Sequence, residues 1–295
     1  MKIYNAGNQK KLQEINIWDS TCERNPLYKS LSEWASEIPE ICFSTFGEPN
    51  SWCLDILTIA NNAIRFELND MYEMHRAMAL LKQQLTFHDV KLATLWFRTM
   101  WKFMTRNLLQ WHGDVLLPWV ESRVSKTPSS NETITTLKRR RGMLEIMSNA
   151  ACSIQSLVSR NVSTEADGLL VQCNLAKCIK NVNELGERVL EYLRNCEVLL
   201  APLLIGAGVS QEEKDRVIQD LLLNILQTGR ESMEIPILLS WMPILTKKAF
   251  IKSFLKDSKL RPISLAKYNE WQESEFEARH RDIVRWMGNR ARGLQ

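Results

Sequence analysis

The chain has 295 residues, of which 24% are charged and 45% hydrophobic, a composition typical of a globular protein that can bury a full core. Its net charge of +4 is too small to favour binding to nucleic acid or to an anionic membrane, and we expect neither partner. The richest apolar stretch, residues 198–209, is interrupted by Pro202 and two glycines, which argues against a membrane-spanning segment.

The first part of the chain, residues 1–50, contains scattered proline and glycine residues among a few aromatic ones. We interpret it as a lead-in that packs on the main body, with one short helix at 31–36. Residues 1–11 lack the apolar core of a secretory signal, and the seven cysteines form no regular framework. Both features favour a reducing, intracellular compartment, either cytoplasmic or nuclear.

Four long helical candidates follow, at residues 52–82, 87–124, 134–159 and 165–200. In the fourth, apolar residues recur at steps of three and four, as at Val182, Leu185 and Val189. No stretch shows the sustained apolar–polar alternation of a strand. The sequence therefore predicts an all-α protein, and long helices joined by short loops favour an up-down-up-down four-helix bundle.

Shorter helical candidates make up the rest of the chain, at residues 210–227, 246–255 and 263–290. The first begins with Ser210 as a capping residue, followed by Glu212 and Glu213, whose charges suit the start of a helix. The last could dock on the bundle or bind a partner, and the sequence leaves both open. We divide the chain into the lead-in, a four-helix bundle at 51–206 and a helical C-terminal extension at 207–295.

Two of the long helical runs share an ending. Residues 108–119 are LLQWHGDVLLPW and residues 192–204 are YLRNCEVLLAPLL, so that each run reaches a proline just after a pair of leucines. Because proline lacks a backbone N–H, we expect both helices to be interrupted there. Each run also has polar residues on its inward stripe one and two turns before the proline.

This duplicated pattern resembles the second and fourth helices of the hemerythrin-like HHE cation-binding family, whose four-helix bundle holds a di-iron site. Residues 61–70, NNAIRFELND, resemble the first-helix signature of the family. The later stretch IPILLSWMPILTKKAFIKSFL resembles the helical tail of larger eukaryotic members, the iron-regulating plant ubiquitin ligases. Together these motifs cover residues 54–256 and imply a hemerythrin-like bundle with additional C-terminal helices.

The resemblance also locates the positions that hold iron in the family. In this chain they carry Asn61, Leu108, His112, Arg140 or Arg141, Tyr192 and Cys196. His112 and Cys196 stand where the family has Glu, and the others stand where it has His. Asn is a poor iron ligand, Leu is none, and an arginine opposes a cation. The resemblance therefore implies a degenerate di-iron site, and we expect no bound metal and no cofactor.

Helical periodicity by itself places Asn61, His112 and Cys196 on apolar stripes, so we expect them to meet near the middle of the bundle. A rearranged site built on His112, Tyr192 and Cys196 remains an alternative. It would lack bridging carboxylates unless an acidic residue turned inward, and the candidates are Asp114, Glu145 and Glu197.

Several of these residues also permit two interpretations. His112 could be a metal ligand or an acid–base group, or a core histidine that hydrogen-bonds to Tyr192 or Asn61. Cys196 could be a redox thiol or a small apolar filler. The basic run at residues 138–141 could bind an anion or form a solvated helix face. We find no convincing Ser-His-Asp, Cys-His or paired-carboxylate arrangement, and we expect no enzymatic activity.

We interpret the chain as a hemerythrin-like protein with a degenerate di-iron site that serves as a non-catalytic interaction or regulatory module for a protein partner. The alternative is a cation-binding protein that senses or stores iron or oxygen through a rearranged core site. A third hypothesis places a small ligand in the emptied site, beside Tyr192 and Met104. The first predicts a closed core at these positions, and the second predicts converging ligands with room for an ion.

Overall fold

The computed structural model describes residues 41–43, 52–81, 84–124, 128–161, 168–256 and 262–293. Within these ranges the chain forms eight helices and no β-strand, which confirms the all-α class. All of them belong to one compact unit, Pro39–Gln295. The predicted lead-in at 1–50, with its helix at 31–36, lies outside the described residues except for 41–43.

Five of the helices keep α-helical hydrogen bonding throughout: α1 (Trp52–Leu81), α3 (Pro128–Asn161), α4 (Gly168–Gly206), α5 (Gln211–Gln227) and α6 (Glu231–Leu239). The other three also contain wider, π-helical turns. Helix α2 comprises Phe87–Met104, Thr105–Gln110, His112–Leu116 and Leu117–Arg123, of which the middle two segments are π-helical. Helix α7 comprises Ile244–Phe250 and π-helical Ile251–Lys256. Helix α8 comprises Leu265–Trp271, π-helical Gln272–Arg281 and Asp282–Ala291.

The predicted start of α5 is confirmed in detail. The Ser210 hydroxyl oxygen accepts a hydrogen bond from the backbone N–H of Glu213, and the Glu213 carboxylate accepts one from the N–H of Ser210. Thr86 and Asp89 form the same reciprocal capping box at the start of α2. Each box provides partners for N–H groups that the helix itself leaves unpaired.

The prediction that prolines interrupt the long helices is wrong. Helix α4 passes through Pro202 and ends at Gly206, because Ala201 and Leu204 on either side of the proline are buried against neighbouring helices. At Pro118 the expected interruption is also absent, whereas the range predicted from apolar spacing, 87–124, is right, because α2 continues to Arg123. There a π-helical turn precedes the proline, and the N–H of Leu117 bonds to the carbonyl of His112, which rearranges the hydrogen bonds that the proline would break.

Helix α3 also differs from its prediction, because it begins at Pro128 and not at residue 134. Proline suits the first turn of a helix, where its missing N–H would have no partner in any case. The segment at 128–133 was expected to be loop because of its polar composition. Ser130 in this first turn is buried, so tertiary packing favours the helix over the propensity of these residues.

Helix α1 is the central element of the fold. It contacts α2, α4, α5, α6 and α8, and almost all of its described side chains are buried. A helix that is buried over most of its surface must bury some of its polar residues as well. The charged residues Asp55, Arg65, Glu67 and Asp70 of α1 are accordingly buried. Arg65, Asp55 and Asp70 each lie beside an oppositely charged side chain, and Glu67 lies beside His280.

The four longest helices contact one another in a ring, with α1 beside α2 and α4, and α3 beside α2 and α4. Two hydrogen bonds show that α1 and α4 run antiparallel. Asn61 pairs with Glu197, and His75 pairs with Asn183. Between the two bonds the residue number increases by fourteen along α1 and decreases by fourteen along α4. Among the described residues, every helix is too short or too polar to cross a bilayer.

The largest buried side chains are aromatic and come from α1, α2, α4 and α8. Of the four tryptophans of α2, Trp96, Trp101 and Trp111 are buried in the core, and Trp119 is partly exposed. These rings are set among a larger number of buried Leu, Ile, Val, Ala and Met side chains, and such close packing leaves little freedom to the polar side chains between them.

Helix α8 packs along α1 and also contacts α6 and the start of α2. This settles one alternative from the sequence: the last helix docks on the rest of the chain. The Arg290 guanidinium contacts the Asp89 carboxylate and donates a 2.6 Å hydrogen bond to the carbonyl of Gln84. These contacts fix the end of α8 beside the capped start of α2.

Candidate functional site

The residues predicted from the sequence lie in a polar region between the four long helices. Asn61, His112 and Cys196 are each 0% exposed, and Tyr192 is 2% exposed. The side chain of Leu108 lies outside the described part of the structure. Helical periodicity therefore placed these four polar side chains correctly in the core, although they fall into two hydrogen-bonded groups.

The first group joins α2 to α4. His112 Nδ1 lies 3.2 Å from the Tyr192 hydroxyl, which in turn hydrogen-bonds to the thiol of Cys196. His112 belongs to a π-helical turn, and its ring also lies 5.3 Å from that of its neighbour Trp111, centroid to centroid, with the two planes tilted by 60°. Among the described residues, the other ring nitrogen, Nε2, has no hydrogen-bond partner.

Burial controls the protonation of this group. Burial, with a smaller contribution from nearby Arg141, lowers the pKa of His112 to about 3, so the imidazole is neutral at physiological pH. Burial likewise raises the pKa of Tyr192 and raises that of Cys196 to about 12. Arg140 opposes the shift at Cys196, but burial dominates, so the thiol stays protonated. A protonated thiol is neither a nucleophile nor a good metal ligand.

Of the two arginines predicted for α3, Arg141 is the one that turns towards α2. Its Nη1 donates a 3.0 Å hydrogen bond to the carbonyl of Leu109, which belongs to the first π-helical segment of α2. The guanidinium lies against Gly113, where a Cβ atom would be 2.6 Å from Nη1. Arg140 instead lies on a partly exposed face, 3.6 Å from Glu191.

The second group joins α1 to α4 and includes a carboxylate. Glu197 accepts hydrogen bonds of 2.8 Å from Asn61 and from both terminal nitrogens of Arg65. Arg65 also donates a 3.0 Å bond to Asn62. The side chains of Arg65 and Glu197 are 6% and 11% exposed, so a bidentate ion pair lies in the interior.

Of the three acids that might have turned inward, only Glu197 does so. Asp114 and Glu145 are exposed, and Glu145 lies beside Arg141. The inward carboxylate is already neutralised by Arg65, and Arg141 adds a further cation nearby. This donor set fits a di-iron centre poorly, because two irons need several free carboxylates and imidazoles to share between them.

Sequence reasoning missed a third polar group, which lies between α1 and α8. His280 Nε2 lies 2.6 Å from Glu67 Oε2, and Arg281 Nε lies 3.3 Å from Asp70 Oδ2. The ring of Trp96 stacks on His280 with 5.2 Å between ring centroids. Burial raises the pKa of Asp70 to about 7, against the lowering effect of Arg281.

A signal for this group was present in the sequence. Glu67 and Asp70 are separated by three residues on a helix whose other positions are mainly apolar, so both were candidates for burial with a cationic partner. The sequence could not show that His280 and Arg281, more than 200 positions later in a strongly charged segment, would supply that partner.

The described residues contain no group of three or more His, Cys, Asp or Glu side chains arranged to hold a metal ion. No protein family, curated protein or solved structure matches the chain. The chemistry of the site therefore has to be argued from its own side chains, which are neutral or internally paired.

Proposed function

We propose that this chain is a hemerythrin-like four-helix bundle with additional C-terminal helices, in which the di-iron site has degenerated into an internally paired polar core. In this proposal the protein is a non-catalytic interaction or regulatory module. Support comes from the ring of four long helices, the antiparallel pairing of α1 with α4, and the burial of Asn61, His112, Tyr192 and Cys196 at the implied ligand positions.

The observation that carries the proposal is the ion pair between Arg65 and Glu197. In a metal site an inward carboxylate neutralises a bound cation. Here the guanidinium of Arg65 takes that place, with two hydrogen bonds of 2.8 Å, and Asn61 supplies a third. A core that balances its own charge needs no ion for stability.

Exposed apolar residues support the interaction part of the proposal. Ile244 and Leu245, adjacent at the start of α7, are 69% and 77% exposed. Single exposed apolar residues are normal on a protein surface, but two adjacent ones form a small patch that a protein partner can cover. A protein partner is therefore the ligand that we propose.

One observation favours the alternative, in which the protein binds a cation at a rearranged site. Asn61 Oδ1 and His112 Nε2 are buried atoms without a hydrogen-bond partner among the described residues. A neutral imidazole nitrogen and an amide oxygen can both bind a metal. This alternative requires His112 to be essential for any bound metal.

The test is the metal content of purified full-length protein, by elemental mass spectrometry after expression in cells supplied with iron and zinc. We expect only trace metal, and we expect the unfolding temperature to be unchanged by a chelator or by added Fe²⁺ or Zn²⁺. About two irons per chain, the stoichiometry of an intact family site, would contradict the proposal. About one ion per chain in the wild type but not in His112→Gln would establish the alternative.

A further inference from the structure

The polar group between α1 and α8 is separate from the residues that the proposed function uses, and it has an unusual charge composition. Its members are Glu67, Asp70, His280 and Arg281. The side chains of Glu67 and His280 are each 1% exposed, and that of Asp70 is 7% exposed. Glu67 Oε1 is buried without a hydrogen-bond partner among the described residues. We call these four residues the α1–α8 cluster.

The α1–α8 cluster does not balance its charge without a proton. Two carboxyl groups face one permanent cation, the guanidinium of Arg281. The charged groups that act on Asp70 are Arg281, Glu67, His280 and the exposed Glu73, and the ring of Trp96 of α2 stacks on His280. Helix α6, which also packs against this segment of α8, carries Glu231 and Glu234, of which Glu234 pairs with Arg106. Because a buried, uncompensated carboxylate is costly, the cluster needs one proton, on His280 or on a carboxyl group.

We propose that α8 is a proton-dependent latch, held on α1 most strongly at acidic pH and held more weakly as the pH rises to neutral. Opening of the latch would uncover the face of α1 around Glu67 and the wholly buried ring of Trp96. This inference goes beyond the proposed function and uses none of the residues at the implied iron positions. Its failure would therefore leave that proposal unchanged.

The direction of the pH dependence follows from linkage. Burial raises the pKa of Asp70 to about 7, so the docked state binds a proton that the exposed carboxyl group would release. Docking is therefore fully favoured below the pKa of the exposed group, 3.8, and it weakens as the pH rises from there to about 7. Above that range both states have released the proton, and docking no longer changes with pH. For one proton, the docking constant falls by at most about tenfold per pH unit.

A second contact of α8 provides a matched control. Asp89 of α2 accepts hydrogen bonds from Trp286 and contacts the guanidinium of Arg290. Burial alone raises the pKa of Asp89, but hydrogen bonds from Thr86 and Trp286 and the charge of Arg290 together lower it. This carboxylate is therefore ionised throughout the neutral range. Loss of its charge should weaken docking equally at every pH.

The experiment is hydrogen–deuterium exchange of the full chain at pH 5, 6, 7 and 8, read by mass spectrometry and corrected for the intrinsic exchange rate at each pH. We expect the opening constant of α8 to rise by up to about tenfold per pH unit between pH 5 and 7 and to level off by pH 8, relative to α3, which packs mainly on α2 and α4. Asp70→Asn should abolish this rise and keep α8 protected at pH 8.

The two carboxylate variants separate the latch from general weakening of the helix. Asp89→Asn should increase the opening constant of α8 at every pH, and this constant should still change with pH as it does in the wild type. Glu67→Gln, which also removes one carboxylate charge from the cluster, should abolish the slope as Asp70→Asn does. A wild-type opening constant that does not change between pH 5 and 7, or an unchanged slope in Asp70→Asn, would overturn the latch.

Discussion

Substitution of either partner in the Arg65–Glu197 ion pair should destabilise the protein strongly. Glu197 accepts three hydrogen bonds of 2.8 Å, two from Arg65 and one from Asn61. Both charged side chains are almost completely buried. In Glu197→Met, the guanidinium of Arg65 would remain in the core without its counter-ion, and in Arg65→Met the carboxylate would remain. Removal of one member of a buried pair costs about 3–5 kcal/mol.

Replacement of both members should cost far less than the sum of the single changes. Methionine preserves most of the volume of either side chain, and the double variant leaves no buried charge. Asn61 loses its acceptor and Asn62 loses the hydrogen bond from Arg65. We therefore expect the double variant to lose no more stability than either single variant. The coupling energy in the double-mutant cycle would then be at least about 3 kcal/mol.

The measurement is the free energy of unfolding from urea titration, followed by circular dichroism in the presence of a chelator. Arg188→Met is the matched control, because Arg188 pairs with Glu191 at 3.1 Å on the surface of α4, where the two side chains are 65% and 50% exposed. That substitution should cost less than about 1 kcal/mol. The buried ion pair would be refuted as the basis of core stability if the losses in free energy of unfolding from the two single substitutions added up to that of the double variant. It would also be refuted if Arg65→Met lost as little stability as the control Arg188→Met.

Two further predictions concern helix packing and pH. In Gly186→Ala the new Cβ would lie 2.6 Å from the hydroxyl oxygen of the buried Tyr72, so we expect the free energy of unfolding to fall by about 1–3 kcal/mol. In Gly142→Ala the new Cβ would have no neighbouring atom within 4 Å, so the same urea titration should show a gain of up to about 1 kcal/mol. Burial lowers the pKa of His75 to about 4 against the effect of its bond to Asn183, so its stabilisation is complete above the unfolded-state pKa of about 6.5 and is lost as the pH falls towards 4. When the pH is lowered from 7.5 to 5.5, the free energy of unfolding should fall by about 1 kcal/mol less in His75→Gln than in the wild type. In His88→Gln, where an exposed histidine is replaced, it should fall as much as in the wild type. Equal losses in all three proteins would contradict this assignment.

Much of the helical architecture could be predicted from the sequence because its signals are local. Apolar spacing located α1 and α2 nearly to the residue, and the capping pattern at Ser210 located the start of α5. The errors fell where packing outweighs local preference. Helices passed through Pro118 and Pro202 because π-helical turns and buried neighbours compensate for the missing hydrogen bonds, and these features depend on contacts that are distant in sequence.

The candidate site was only half predictable, for a related reason. Periodicity identified Asn61, His112, Tyr192 and Cys196 as core residues, but it could not show which of them would bond to each other. The pairing of Glu197 with Arg65 depends on the register between α1 and α4. The choice between Arg140 and Arg141 depends on the carbonyl of Leu109 in a distorted turn of α2.

The sequence by itself determined that the protein is all-α and which faces of its long helices are apolar, because helical periodicity and capping act over a few neighbouring residues. Only the tertiary structure decided how the buried charges are paired. Arg65 lies with Glu197, and Glu67 with His280, across separations of 132 and 213 residues. Such pairs form because these positions of α1 are buried, and a charged group that cannot reach water needs a partner in the protein.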